Sequence, residues 1–94
     1  MNELTGFQRD LLHIIAGEDK PHGLLIKEKA EESYTDVIHH GRLYPNLDTL
    51  VKKSLVKKST KDNRTNAYEL TEKGEQTIVE RREWENERIS HLIN

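Results

Sequence analysis

Apolar residues recur along most of the chain at helical spacing, interrupted once by a short alternating stretch. Phe7, Leu11, Leu12, Ile14 and Ile15 make the first helical face. Thr5 stands before it as N-cap with Gln8 three residues on, the pattern of a capping box, and Gly17 closes it. Glu18 to Gly23 is a polar turn punctuated by Pro21 and Gly23. A second helix is expected from about Gly23 or Leu24 to Ser33, with Leu25, Ile26 and Ala30 inward and Lys27, Glu28, Lys29, Glu31 and Glu32 in water. Tyr34 to His40 is then a short connection, with Val37 and Ile38 packing beneath the next helix.

The third stripe is Leu43, Leu47 and Leu50 with Val51 beside them, and between these stand Arg42, Tyr44, Asn46 and Asp48. Proline is tolerated in the first turn of a helix, where its missing N–H had no partner, so Pro45 places the start near Gly41. Ser54 ends the helix where glycine is commoner. Two short helices, a turn and a third helix form a helix-turn-helix pattern. An apolar back and a hydrogen-bonding front suit insertion into a DNA major groove. An ordinary amphipathic helix with a solvated front fits the same spacing.

Leu55 to Thr60 is short and partly β-branched, and Asn66 to Leu70 alternates with Tyr68 and Leu70 on one face. With the polar turn Lys61 to Thr65 between them, they predict a β-hairpin whose tip carries Lys61 and Arg64. Such a tip is either a plain exposed loop or a wing against DNA. Thr71 caps a last helix running to about Leu92, with Glu72 in its first turn. Its apolar residues, Ile78, Val79, Trp84, Ile89, Leu92 and Ile93, are separated by charges of both signs. A helix of roughly twenty residues cannot bury both Trp84 and Ile93 against so small a domain. The stripe is therefore read as a dimerisation helix rather than one folded wholly onto its own chain.

Composition sharpens this picture in three ways. With 94 residues, 33% apolar and 34% charged, the core is lean and association would support it. The absence of cysteine excludes disulfides and thiolate metal sites. No apolar run approaches the ~20 residues that span a bilayer and no signal-peptide pattern opens the chain, so a soluble cytoplasmic protein without membrane association is expected. The net charge of −2 conceals a strong asymmetry. Residues 1–41 carry eight acids against four bases and residues 65–94 seven against four. Residues 42–64 carry seven bases against two acids, and that one basic third contains the candidate reading helix and the hairpin tip.

Several ordered motifs carry a family resemblance. His22-Gly23-Leu24-Leu25-Ile26, Gly41-Arg42-Leu43-Tyr44-Pro45-Asn46-Leu47, the Leu50 to Leu55-Val56 step and Tyr68-Glu69-Leu70-Thr71-Glu72-Lys73-Gly74 together resemble the PadR family of transcriptional regulators. The likeness spans nearly the whole chain and is nearest to the short archaeal members, especially the haloarchaeal ones. It implies a dimeric winged-helix DNA-binding protein, usually a repressor. Arg42 departs from the family's usual threonine and adds a donor fork suited to guanine or phosphate. His22 replaces the usual tyrosine. The single C-terminal helix stands where many members carry a larger helical domain with an effector pocket, so no effector is assigned.

The expected fold is mainly α with a small β-hairpin: a winged helix-turn-helix domain over residues 1–70 and a dimerisation helix over 71–94. A homodimer would set two reading helices in successive major grooves of double-stranded DNA, about 34 Å apart on a roughly palindromic operator. Arg42, Tyr44 and Asn46 are the candidates for base or phosphate contact, and Lys52, Lys53 and Lys57 for phosphate clamps. Lys61 and Arg64 are the wing contacts, while His39 and His40 sit at the helix start where they can touch phosphate. Asp48 is out of place on such a face; it either accepts from cytosine, orients Arg42 or turns away. No cofactor or metal is expected, because the five histidines lack any ligand spacing and adjacent His39 and His40 point apart. No glycine-rich phosphate loop or activated nucleophile supports an enzyme. The alternative is a winged-helix module that grips a protein partner, which would show exposed apolar residues in place of clustered positive charge.

Overall fold

The computed structural model describes residues 3–60 and 65–93. Its element order is α1 (Gly6–Gly17), α2 (Gly23–Ser33), α3 (His40–Lys52), β1 (Val56–Thr60), β2 (Asn66–Leu70) and α4 (Glu72–Ile93). The expected mainly helical fold with one antiparallel hairpin is found. The Thr5 hydroxyl accepts from the Gln8 N–H at 3.1 Å, and the Gln8 side chain accepts from the Thr5 N–H at 3.1 Å, a complete capping box. Phe7, Leu11, Leu12 and Ile15 of α1 meet Ile26 and Ala30 of α2, Leu43, Leu47 and Leu50 of α3, and Tyr68 of β2 in one core.

Four details depart from the periodic reading. The third helix begins at His40, which moves Pro45 into its second turn. The Gly41 carbonyl thereby loses its helical donor, and Gly41 is exposed, so water can take that place. Val37 does not pack beneath α3: it is 66% exposed, while its neighbour Ile38 is buried. The Ile38 N–H donates to the Glu31 carboxylate at 2.8 Å, and this bond, aided by Lys27 at 3.0 Å, holds Glu31 below the usual carboxylate range. In β2 the buried pair is Ala67 and Tyr68, with Leu70 only partly covered. β2 is flanked on both sides: it pairs with β1 from Val56↔Leu70 to Thr60↔Asn66, and on its other edge Ala67 bridges His22 while the Tyr68 N–H donates to the Pro21 carbonyl. Helices α1, α2 and α4 also pack against β2, and a strand covered in this way buries residues that simple alternation leaves in water.

The fourth is the end of α3. Ser54 lies at φ 62°, the left-handed conformation that favours glycine. The Leu55 N–H returns to the Leu50 carbonyl at 3.1 Å and the Ser54 N–H to that of Val51 at 2.9 Å, a Schellman motif with Leu55 packed back into the core. That motif takes Leu55 out of the predicted strand, which starts at Val56. Ser54→Gly should therefore stabilise the protein by about 1 kcal/mol, the strain of a side chain in this conformation. A rise in Tm of roughly 4–8 °C in a calorimetric scan would register it, and no rise would mean that the serine is unstrained.

Candidate nucleic-acid interface

α3 presents one outward row, Gly41, Pro45, Asp48 and Lys52, at the spacing of a single helix face. Its start is open. His39 occupies the N-cap position without a side-chain cap bond, and His40 follows with its ring edge-on to Tyr44, centroids 5.5 Å apart. The first N–H groups of the helix and both exposed histidines thus face outward, where an anion is favoured. Lys52, in the last turn, is exposed and pairs with no described carboxylate.

The other candidate residues are held by the protein itself to differing degrees. The Arg42 guanidinium lies over the Phe7 ring, 4.0 Å from its centroid, with Tyr34 at 5.6 Å. Asn46 accepts from Gln8 Nε2 at 2.9 Å and donates to the Arg42 carbonyl at 2.6 Å. Tyr44 is half-buried against Gly23, where a Cβ would stand 2.5 Å from the Tyr44 hydroxyl oxygen. Lys53 pairs with Glu3 at 3.8 Å, and Lys57 pairs across the hairpin with Glu69 at 3.1 Å. Both pairs are at the surface, where such contacts contribute little and a phosphate can replace the carboxylate. Lys61 and Arg64, the expected wing contacts, lie outside the described residues.

Asp48 finds its partner in Lys58 of β1 at 3.8 Å, a residue the charge pattern contained without singling out. The pair ties the hairpin to the outward row of α3 and offsets the acid on that row. Beside it, Tyr44, Tyr68, His22, Gly23, Leu24, Thr65 and Asn66 line an open cleft of ≈ 430 Å³ between α3 and the hairpin. Burial, reinforced by the Asp48 charge, raises the Tyr68 phenol above its usual range. The His22 ring closes one side of this cleft and accepts from the Leu25 N–H at 3.0 Å, capping α2. Among the described residues no three His, Asp or Glu side chains converge on a possible metal position.

Residues 11–80 match the Transcriptional regulator PadR-like family. The chain belongs to that family. Among solved structures it is similar to H. salinarum RosR, with 47% identity and a TM-score of 0.87 over 93% of this chain and 78% of that one. A complex of the same protein, hsRosR-S1, gives 46% identity and a TM-score of 0.89 over 94% and 78%. A PadR-like transcription factor from Bacteroides fragilis aligns at 25% identity and a TM-score of 0.70 over 90% and 87%. No curated protein sequence matches. The family is one of transcriptional regulators, and the winged helix expected from the sequence is the architecture its members share with this chain. No described helix is long and apolar enough to cross a membrane.

The α4 residues divide into two groups. Ile78 packs against the core of its own chain, whereas Val79, Trp84, Ile89, Leu92 and Ile93 are exposed. Trp84 lies between Arg81 and Arg88, whose guanidinium carbons stand 4.1 and 4.0 Å from its ring centroid.

Proposed function

We propose that the protein is a cytoplasmic DNA-binding repressor, acting as a homodimer on a roughly palindromic operator. The observation that carries this reading is the co-location of the open α3 start, Lys52 and the lysines of β1 in a chain that is acidic elsewhere. α3 enters the major groove by its exposed row. Lys52, Lys53 and Lys57 meet phosphates on either side, and His39 and His40 meet one at the helix start. α4 joins two copies, so two reading helices face the same side of the duplex. No small-molecule effector forms part of this reading.

Titrating the protein into DNA from around its own gene at several salt concentrations tests it. The expected result is a protected site with two half-sites one helical turn apart and an affinity that falls steeply with salt, each phosphate contact adding about −0.9 to the logarithmic slope. Lys52→Ala should weaken binding to all sequences alike and flatten the slope by about 1 per contact removed. An affinity indifferent to salt, or no binding at low salt, would instead favour a module that grips a protein.

A further inference from the structure

The first turn of α1 reaches α3 twice. Phe7 lies beneath the Arg42 guanidinium at 4.0 Å, and the neighbouring Gln8 holds Asn46, which in turn donates to the Arg42 carbonyl. The second wall around Arg42 is Tyr34, just past the end of α2, whose ring meets that of Phe7 edge-on at 5.8 Å and 70°. Tyr34 is itself oriented, because its hydroxyl donates to the Asp10 carboxylate. That bond raises the phenol above its usual range and keeps it a donor. An exposed arginine at the start of the reading helix thus rests in an aromatic corner built by α1 and the residue that follows α2.

A guanidinium stacks by its flat face, and its N–H groups lie in the plane at its edges. Stacking therefore leaves the donor fork open to a guanine or a phosphate. It also removes much of the rotamer freedom that a long side chain loses on binding, so less affinity is spent on ordering it. The direction of the fork is set by the rings beneath it.

Resting on the reading of α3 as a DNA-reading helix, we propose that Phe7 and Tyr34 are positioning residues: with Phe7 beneath the Arg42 guanidinium and Tyr34 beside it, they fix where its donor fork points and hence which base pair it selects. Neither ring needs to touch DNA for this.

The test is selection from a library of duplexes with a randomised core, by the unaltered protein, Arg42→Ala, Tyr34→Leu, Tyr34→Phe and the double variant Arg42→Ala with Tyr34→Leu. Arg42→Ala should lose about 10- to 100-fold of the preference at one base pair in each half-site. Tyr34→Leu should lose about 3- to 10-fold at that same base pair while binding unselected DNA as before. Tyr34→Phe, which keeps the ring without its bond to Asp10, should fall between. In the Arg42→Ala background Tyr34→Leu should cost nothing further. Phe7 is buried, so Phe7→Leu is followed by the Arg42 Nε–Hε resonance, which should lose its ring-current shift in the folded free protein. An unchanged preference in Tyr34→Leu, or an equal loss with and without Arg42, would overturn the positioning role and leave DNA reading intact. No enrichment by the unaltered protein would overturn DNA reading itself, and the positioning role with it.

Discussion

Gly74→Ala should lower stability by about 3 kcal/mol, the upper end of the cost of overpacking, and Tm by roughly 12–24 °C. On an exposed helix the same change stabilises by up to about 1 kcal/mol, so even the sign depends on what surrounds the glycine. Gly74 is buried, and a Cβ there would stand 2.1 Å from the Leu55 carbonyl oxygen. That oxygen cannot retreat. Its own residue is held by the Schellman bond to Leu50, and it accepts the Thr71 N–H at 3.1 Å. The Thr71 hydroxyl donates to the Ser54 carbonyl and accepts from the Gly74 N–H at 3.0 Å, while the Lys73 ammonium reaches the Lys53 carbonyl at 2.8 Å. The first turn of α4 is thus fastened to the joint between α3 and β1, and glycine is what lets the two backbones touch. Urea denaturation of Gly74→Ala beside Gly17→Ala, whose added methyl meets nothing within 4 Å, isolates the effect. Equal stability in the two variants would show that the joint is looser than its geometry.

This joint also marks how far the sequence can be read. The capping box of α1, the three apolar stripes and the hairpin are local matters of spacing, and the chain carries them openly at Thr5 and Gln8 or at Leu43, Leu47 and Leu50. Ser54 gave only half a signal: its position ends α3, but nothing local announces a left-handed serine. The buried Ala67 was illegible because β2 is covered by elements distant in the chain, among them the segment of His22, which bridges to it from more than forty positions away. The same holds at the candidate interface. Arg42 was legible as a donor at a helix start, and the basic third marked the surface. That Phe7, Gln8 and Tyr34 would take hold of Arg42 and Asn46 could not be read, because those residues look like core, cap and linker until the helices are assembled. Asp48 was an anomaly whose resolution, Lys58, lay one strand away among six neighbouring cations.

Ile89→Glu combined with Leu92→Glu should leave the winged-helix core folded, turn a dimer into a monomer and weaken operator binding about 100-fold or more. Both side chains are exposed in the single chain, 39% and 72%, so their replacement costs little there, within about 0.5 kcal/mol. In a paired α4 the same carboxylates would be driven into an apolar seam, where unpaired charge is expensive. The loss of affinity follows from linkage: two reading helices on one particle raise the effective concentration of the second, worth 10²- to 10⁴-fold in related geometries. Sedimentation would give the mass. Trp84, the single tryptophan, adds a second reading where α4 joins two copies as proposed, since its emission should then move to the red as water replaces the partner helix. A variant that stays a dimer, with unchanged emission and intact operator affinity, would place the contact between copies elsewhere, and α4 would then be a helix whose exposed stripe serves a different protein.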